Sequence, residues 1–367
     1  MLRRPLISAV LAGGLLVALA VPALGLRTNW LGSGDLPQNL AVIQTYDRIQ
    51  AAFPGGSQPA QVAVKASDVT APQVVAAIGQ LHRRAVATGE MQEPIQVAVN
   101  PARTVALVSV PLAGAGLDDT SFHALHTLRN DVIPATVGAI PGVETAVAGD
   151  TAWTQDFNDM LAARAPVVFA FVLGLAFVLL LVAFRSLVIA LKAIILNLLS
   201  VGAAYGLLVL VFQHSWAEGL LGFRSTGSII QWLPLFLFVI LFGLSMDYHV
   251  FILSRVREAY DRGASTSEAV AHGIHTTAGV VTSAAVVMVA VFAIFATLSE
   301  VSLKQLGVGL AAAILIDATV VRAILLPATM KLLGNANWYL PRWLQWLPRL
   351  GVEEREPAYA ASQDAAA

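Results

Sequence analysis

Asp247 and Tyr248 stand side by side in Phe242-Gly243-Leu244-Ser245-Met246-Asp247-Tyr248-His249-Val250-Phe251, inside a long apolar stretch. A charged side chain at the centre of a membrane-crossing helix costs about 2.5–3.5 kcal/mol, so such residues are kept for a task and need a partner. A carboxyl at that depth favours its neutral form, which equips Asp247 to load and release a proton. Tyr248 adds a hydroxyl to relay it. The competing reading is a protonated Asp247 that clamps two helices by a hydrogen bond. Consecutive helix residues point about 100° apart, so the two side chains face different ways and each needs a partner from another helix.

Asp317 and Arg322 are the secondary candidates. Five residues apart, they would point about 140° apart on one α-helix and make poor partners for each other. Arg322 is expected either to serve as counter-ion to Asp247 or to snorkel toward the cytoplasm. Lys192 is expected to snorkel, and His249 to support the Asp-Tyr pair from behind rather than carry the proton. His123 with His126 and His272 with His275 have metal-ligand spacing, but no third ligand is placed to complete either site. No metal or cofactor is expected. Walker, nucleophile-elbow and zinc-protease motifs are absent from the sequence, which argues against an enzyme or an ATP-driven pump.

These residues must be held by membrane helices. Of 367 residues, 57% are hydrophobic and only 12% charged, against about 25% charged in soluble proteins. A net charge of −1 offers no basic excess for nucleic acid, and the absence of cysteine excludes a disulfide framework or a thiolate nucleophile. A span needs about 20 predominantly apolar residues. Six stretches qualify, at 6–26, 165–184, 187–212, 232–253, 277–298 and 306–330. The first follows Met1-Leu2-Arg3-Arg4 and contains Ala18-Leu19-Ala20, so a cleavable signal peptide competes with a retained anchor; its length favours the anchor. Arg3, Arg4, Arg185, Lys192, Arg255, Arg257, Arg262, Lys331, Arg342 and Arg349 fall on one side, whereas the short opposite loops carry Arg224 and Lys304. Both termini are therefore expected in the cytoplasm.

The expected organisation is a first span (1–26), an extracytoplasmic domain (27–164), a five-helix bundle (165–334) and a cytoplasmic tail (335–367). Within the outer domain the hydrophobic period alternates between 2 and 3.6, in the order βαββαβ. A strand at 61–66 precedes a helix opened by a Thr70-x-x-Gln73 capping box, with Val74, Ile78, Leu81 and Ala85 in one stripe. Ile95, Val97 and Val99 alternate along the second strand, and 104–110 supplies its hairpin partner. Asp118 or Asp119 then caps a helix with Phe122, Leu125, Leu128 and Val132, before a last strand at 144–149. The fold class is an α-helical membrane bundle, 1+5, with an inserted α+β ferredoxin-like domain. Asp150 is expected to cap one more helix, carrying Trp153, Phe157 and Met160 into the second span at Pro166; an ordinary linker is the alternative. Ser265-x-x-Glu268 is expected to open a short helix over 269–274, lying along the membrane before the fifth span.

Taken together, Phe53-Pro54-Gly55-Gly56, Phe184-Arg185-Ser186-Leu187, Gly243-x-x-x-Asp247-Tyr248, Asp317-Ala318-Thr319-Val320-Val321-Arg322 and Gly334-Asn335-Ala336-Asn337-Trp338-Tyr339-Leu340-Pro341 resemble the MMPL branch of the resistance-nodulation-division (RND) transporters. The resemblance covers nearly the whole chain, and the Asn-Trp-Tyr-Leu-Pro ending is similar to the second half of such proteins. It implies proton-motive-force-driven export of hydrophobic or amphiphilic molecules, lipids or drugs, from a bacterial inner membrane. It also implies that Asp-Tyr pairs from two halves meet at the bundle centre, with Asp247 and Tyr248 matching one pair. A lone half then needs a second, as a homodimer or a separately encoded chain. A non-transporting lipid sensor or scaffold, or a remnant of a longer transporter, are the alternatives.

Overall fold

The computed structural model describes residues 4–30, 40–52, 59–114 and 116–347. The Phe53-Pro54-Gly55-Gly56 segment, Arg3, Arg349 and the end of the tail lie outside the described residues. Six helices are long and apolar enough to cross a membrane: Pro5–Gly25, Asp150–Phe184, Leu187–Phe212, Leu233–Asp261, Thr266–Phe295 and Val301–Trp338. Their number and order match the six apolar stretches of the sequence.

In chain order the elements begin with α1 (Pro5–Ala20), the two-residue strand β1 (Thr28–Asn29) and α2 (Ala41–Ala52). The outer domain contains β2 (Ala60–Lys65), α3 (Pro72–Ala87), β3 (Gln96–Val99), β4 (Val105–Val110), α4 (Asp119–Thr127) and β5 (Glu144–Ala148). Its four strands form one antiparallel sheet in the order β3-β4-β2-β5. Val62, Val64, Val108, Val74, Ile78, Leu81, Ala85, Leu125, Leu128 and Val132 close its core. Asp118 is the cap of α4, accepting from the Ser121 amide at 3.0 Å. Two details differ from the sequence reading. The α3 helix starts at Pro72 without a side-chain cap, because Thr70 turns back to hydrogen-bond Asp68. Strand β3 is exposed throughout, because it forms the sheet edge beyond the packed helices.

From Asp150 a single helix, α5 (Asp150–Phe184), runs through Pro166 without a break. At 1.5 Å per residue its length is about 52 Å, well beyond the roughly 30 Å of a hydrocarbon core. The excess is docked to the sheet domain. Arg129 holds Asp156 at 2.5 and 2.9 Å and also donates to the Val147 carbonyl, Thr151 donates to the Gly116 carbonyl at 2.6 Å, and Trp30 stacks edge-on against Trp153. The linker alternative is set aside by this continuity.

The remaining elements are α6 (Leu187–Phe212), the one-turn α7 (Glu218–Leu221), β6 (Ile229–Ile230), α8 (Leu233–Asp261), α9 (Thr266–Phe295), α10 (Val301–Ile316), a π-helical segment (Asp317–Leu325) and α11 (Leu326–Leu333). Ser265 and Glu268 do form a reciprocal capping box, but they open the full 30-residue α9. The separate helix expected at 269–274 does not exist, since nothing after the cap interrupts the i→i−4 ladder.

Helix α1 lies so close to α6 that a Cβ on Gly206 would come within 1.7 Å of the Leu19 carbonyl oxygen. Beyond it, β1 pairs in parallel with β6, and Gln305 ties this ladder to α10 by accepting from the Ile230 amide at 2.8 Å. The first helix and the chain leaving it are thus packed into the bundle. At the other end, Lys192 is buried and donates to Asn337 Oδ1 at 3.0 Å, while Asn337 Nδ2 donates to the Met330 and Gly334 carbonyls, each at 2.7 Å. Lys192 does not snorkel, because the Asn-Trp-Tyr segment folds back beneath α6 and supplies an acceptor within reach.

Candidate proton-handling site

Helix α8 divides its side chains between two faces. Leu237, Leu241, Ser245, His249, Ile252 and Val256 recur every three or four residues and are buried, whereas Phe236, Val239, Gly243, Asp247 and Val250 recur on the opposite side and are exposed. Such spacing gives each set one stripe of the helix. The inward stripe is apolar except for Ser245 and His249. The outward stripe carries Asp247.

Asp247 is therefore exposed on the surface of the chain, midway along a membrane-length helix. Burial within this chain, as the sequence reading expected, is not observed; no helix of the chain covers that stripe. Tyr248 turns the other way, half-buried, and the Arg322 guanidinium carbon sits 4.5 Å from its ring centroid. Within the chain the adjacent pair thus faces separate partners, in keeping with the 100° offset of neighbouring helix positions.

Asp317 and Arg322 do pair with each other, contrary to the expectation for an α-helix. The segment that holds them is a π-helix, whose i→i+5 bonding brings residues five apart onto one face. Pro327, just beyond it, lacks the N–H that an α-helix would return to the Ala323 carbonyl. Asp317 Oδ2 accepts from Arg322 Nη2 and, at 2.8 Å, from the Ser245 hydroxyl. Arg322 Nη2 also reaches the Ser245 carbonyl at 3.3 Å. Both ions are only 5% exposed. Arg322 neither snorkels nor pairs with Asp247; its charge is committed to Asp317 and to the Tyr248 ring.

His249 is fully buried behind Ser245. Its Nδ1 meets the Ser245 carbonyl at 3.1 Å, and a carbonyl can only accept, so Nδ1 carries the hydrogen and Nε2 is left as an acceptor without a partner. Asp317 Oδ1, Arg322 Nε and Asn197 Nδ2 are buried and unpartnered as well. Ser245 and Asn197 escaped the sequence reading, which tracked ionisable groups alone. Their signal was present, since each is an uncharged polar residue inside an apolar span and such residues bond between membrane helices.

The histidine pairs do not come together as metal sites. His123 meets Glu90 at 2.9 Å, and among the described residues no group of three or more His, Asp or Glu side chains is placed to hold an ion. Outside the membrane, His82 bonds Glu93 at 2.6 Å, and this contact, with the Ile95 amide, holds the Glu93 carboxyl below its ordinary range.

The family model described as the MMPL family matches residues 35–358. The mycolic acid-containing lipids exporter MmpL11 of Mycolicibacterium smegmatis is 38% identical over 97% of this chain and 37% of its own length. The heme uptake protein MmpL11 of Mycobacterium tuberculosis is 38% identical over 94% of the chain and 35% of its own. The trehalose monomycolate exporter MmpL3 of Mycolicibacterium smegmatis is 31% identical over 97% and 35%. The chain thus spans little more than a third of these relatives. With six membrane-length helices in the expected order and a family match over most of its length, the chain belongs to the MMPL family of membrane transporters.

Proposed function

We propose that the chain is one half of a proton-motive-force-driven exporter of hydrophobic or amphiphilic molecules, with Asp247 and Tyr248 as its proton relay and no enzymatic activity. The single observation that carries this reading is the exposed Asp247 midway along α8. Hydrocarbon cannot solvate a carboxylate, so the stripe of Phe236, Val239, Gly243, Asp247 and Val250 needs a protein partner. A second half, as another copy or a separate chain, would place a polar group opposite Asp247 and exclude lipid from the contact. Asp317 and Arg322 then act behind the relay, since Arg322 grips the inner face of Tyr248.

The names of the relatives favour lipid-like cargo, mycolic acid-containing lipids and trehalose monomycolate, and the heme named for another is also amphiphilic. One proton crossing 100 mV contributes about 2.3 kcal/mol, enough to sustain a concentration ratio of a few tens-fold. We place the chain in the bacterial inner membrane with both termini cytoplasmic, from the Lys and Arg asymmetry of its loops. We read the outer β-α-β-β-α-β unit as a ferredoxin-like porter domain, rigidly coupled to the second span by α5.

Asp247→Asn keeps size and hydrogen bonding while removing titration. In proteoliposomes carrying a fluorescent fatty-acyl amphiphile and a pH gradient, it should insert normally and lose coupled export. Wild-type export by Asp247→Asn sinks the relay assignment. The chain has no cysteine, so a benzophenone maleimide on Gly243→Cys labels one site on the outward stripe. Cross-linking in native membranes should yield a dimer or heterodimer, and monomer alone in an active preparation refutes the half-transporter reading.

A further inference from the structure

Behind Tyr248 lies a small cavity between α6, α8, α9, α10 and the π-helical segment. Asn197, Ser245, Met288, Ala313, Asp317 and Arg322 are among its walls. The space open to the centre of a water molecule is about 10 Å³. That is about one water's requirement, and a buried water also needs two to four polar partners. Three polar atoms from cavity-lining residues are buried and unpartnered: Asn197 Nδ2, Asp317 Oδ1 and Arg322 Nε. Their chemistry is complementary to one water. Two are donors and one is an anionic acceptor, while a water accepts two hydrogen bonds and donates two.

We propose that this cavity is a specific one-water site, in which the water accepts from Asn197 Nδ2 and Arg322 Nε and donates to Asp317 Oδ1. Three observations support it independently: the volume fits, the donors and acceptor balance, and each atom otherwise bears the full cost of an unmade buried hydrogen bond. The water turns the one-sided contact between Asp317 Oδ2 and Arg322 Nη2 into a ring closed on both sides. Asn197 is thereby a positioning residue. It touches neither ion directly, yet it fixes from α6 the orientation of a pair carried by the π-helical segment. Its link to export rests on the proton-coupled reading above, whereas its link to hydration does not.

The test contrasts packing with hydration. Leucine nearly matches asparagine in size and has no polar atom, so Asn197→Leu keeps the packing and removes one donor from the water. Serine is smaller and leaves room for a second water, so Asn197→Ser damages the packing and preserves hydration. Radiolytic hydroxyl-radical footprinting of the full chain in nanodiscs reads bound water directly through oxidation of Met288, on the cavity wall. Labelling of Met288 should fall at least five-fold in Asn197→Leu and stay within two-fold of wild type in Asn197→Ser. Should Asn197→Leu fail to insert, Ala313→Val fills the cavity from the opposite wall without touching a polar group and should silence Met288 equally. Export of the fluorescent amphiphile should follow labelling, lost in Asn197→Leu and kept in Asn197→Ser. Unchanged labelling in the cavity-blocking variants, or export that survives Asn197→Leu and fails in Asn197→Ser, overturns the proposal. Asp247→Asn separates the two readings: wild-type export there refutes the relay, while the water site stands or falls on Met288 labelling.

Discussion

Replacing Asp317 by leucine should destabilise the bundle far more than replacing both members of its ion pair. The mutation strands Arg322, which is only 5% exposed, with the Ser245 carbonyl at 3.3 Å and the Tyr248 ring at 4.5 Å as remaining contacts. Removing one partner of a buried pair costs about 3–5 kcal/mol, equivalent to a roughly 140- to 4,000-fold shift toward the unfolded state. The cation–π contact with Tyr248 is worth up to about 2 kcal/mol when desolvated, but it exists before and after the mutation and offsets nothing. Arg322→Met should cost less, since a stranded carboxylate can be neutralised by taking up a proton, whereas a guanidinium cannot shed one. In Asp317→Leu/Arg322→Met no charge is orphaned. The residual cost is the hydrogen-bond partner lost by the Ser245 hydroxyl, about 1–2 kcal/mol. Steric-trapping measurements of unfolding in bicelles on all four proteins give the cycle. A double variant as unstable as the sum of the two singles would falsify the claim that the π-helical segment exists to pair these ions.

Gly206→Ala must displace the Leu19 carbonyl, which a new Cβ would approach to 1.7 Å, so the first helix should be driven from α6. A loss of about 1–3 kcal/mol or more is expected, read as faster proteolysis at the α1–β1 connection; unchanged protection counts against the close packing. Glu93 offers a pH test outside the membrane. Folding lowers its carboxyl below the free value through His82 and Ile95, so the stabilising contribution is complete above the free value of 4.5 and disappears as pH falls through the folded value. His82→Ala should move the Glu93 titration, followed by carboxyl NMR, upward toward 4.5, and no movement refutes the His82 contact as its main cause.

Much of this protein was written in local pattern. Six apolar stretches became six membrane-length helices because span length and hydropathy depend on the segment alone. Likewise, the alternating periods between Gln61 and Ala148 yielded the strand and helix order of the outer domain, since one buried face fixes each period. The 100° offset of Asp247 and Tyr248 followed from helix geometry. What faces each of them did not. Asp247 is exposed because no helix of this chain packs on its stripe, a fact of interhelical arrangement. Lys192 is buried because a segment 145 residues later folds under it. The α-helical assumption separated Asp317 from Arg322, while five-residue π bonding joined them, and hydrogen-bond periodicity in a wholly apolar context leaves little trace in sequence. Asn197 and Ser245 were visible only as isolated polar residues on two helices. The packing of α6 and α8 around the π-helical segment turned them into walls of one cavity, because lateral helix contacts are set by side-chain shape and interhelical hydrogen bonds between residues far apart in the chain.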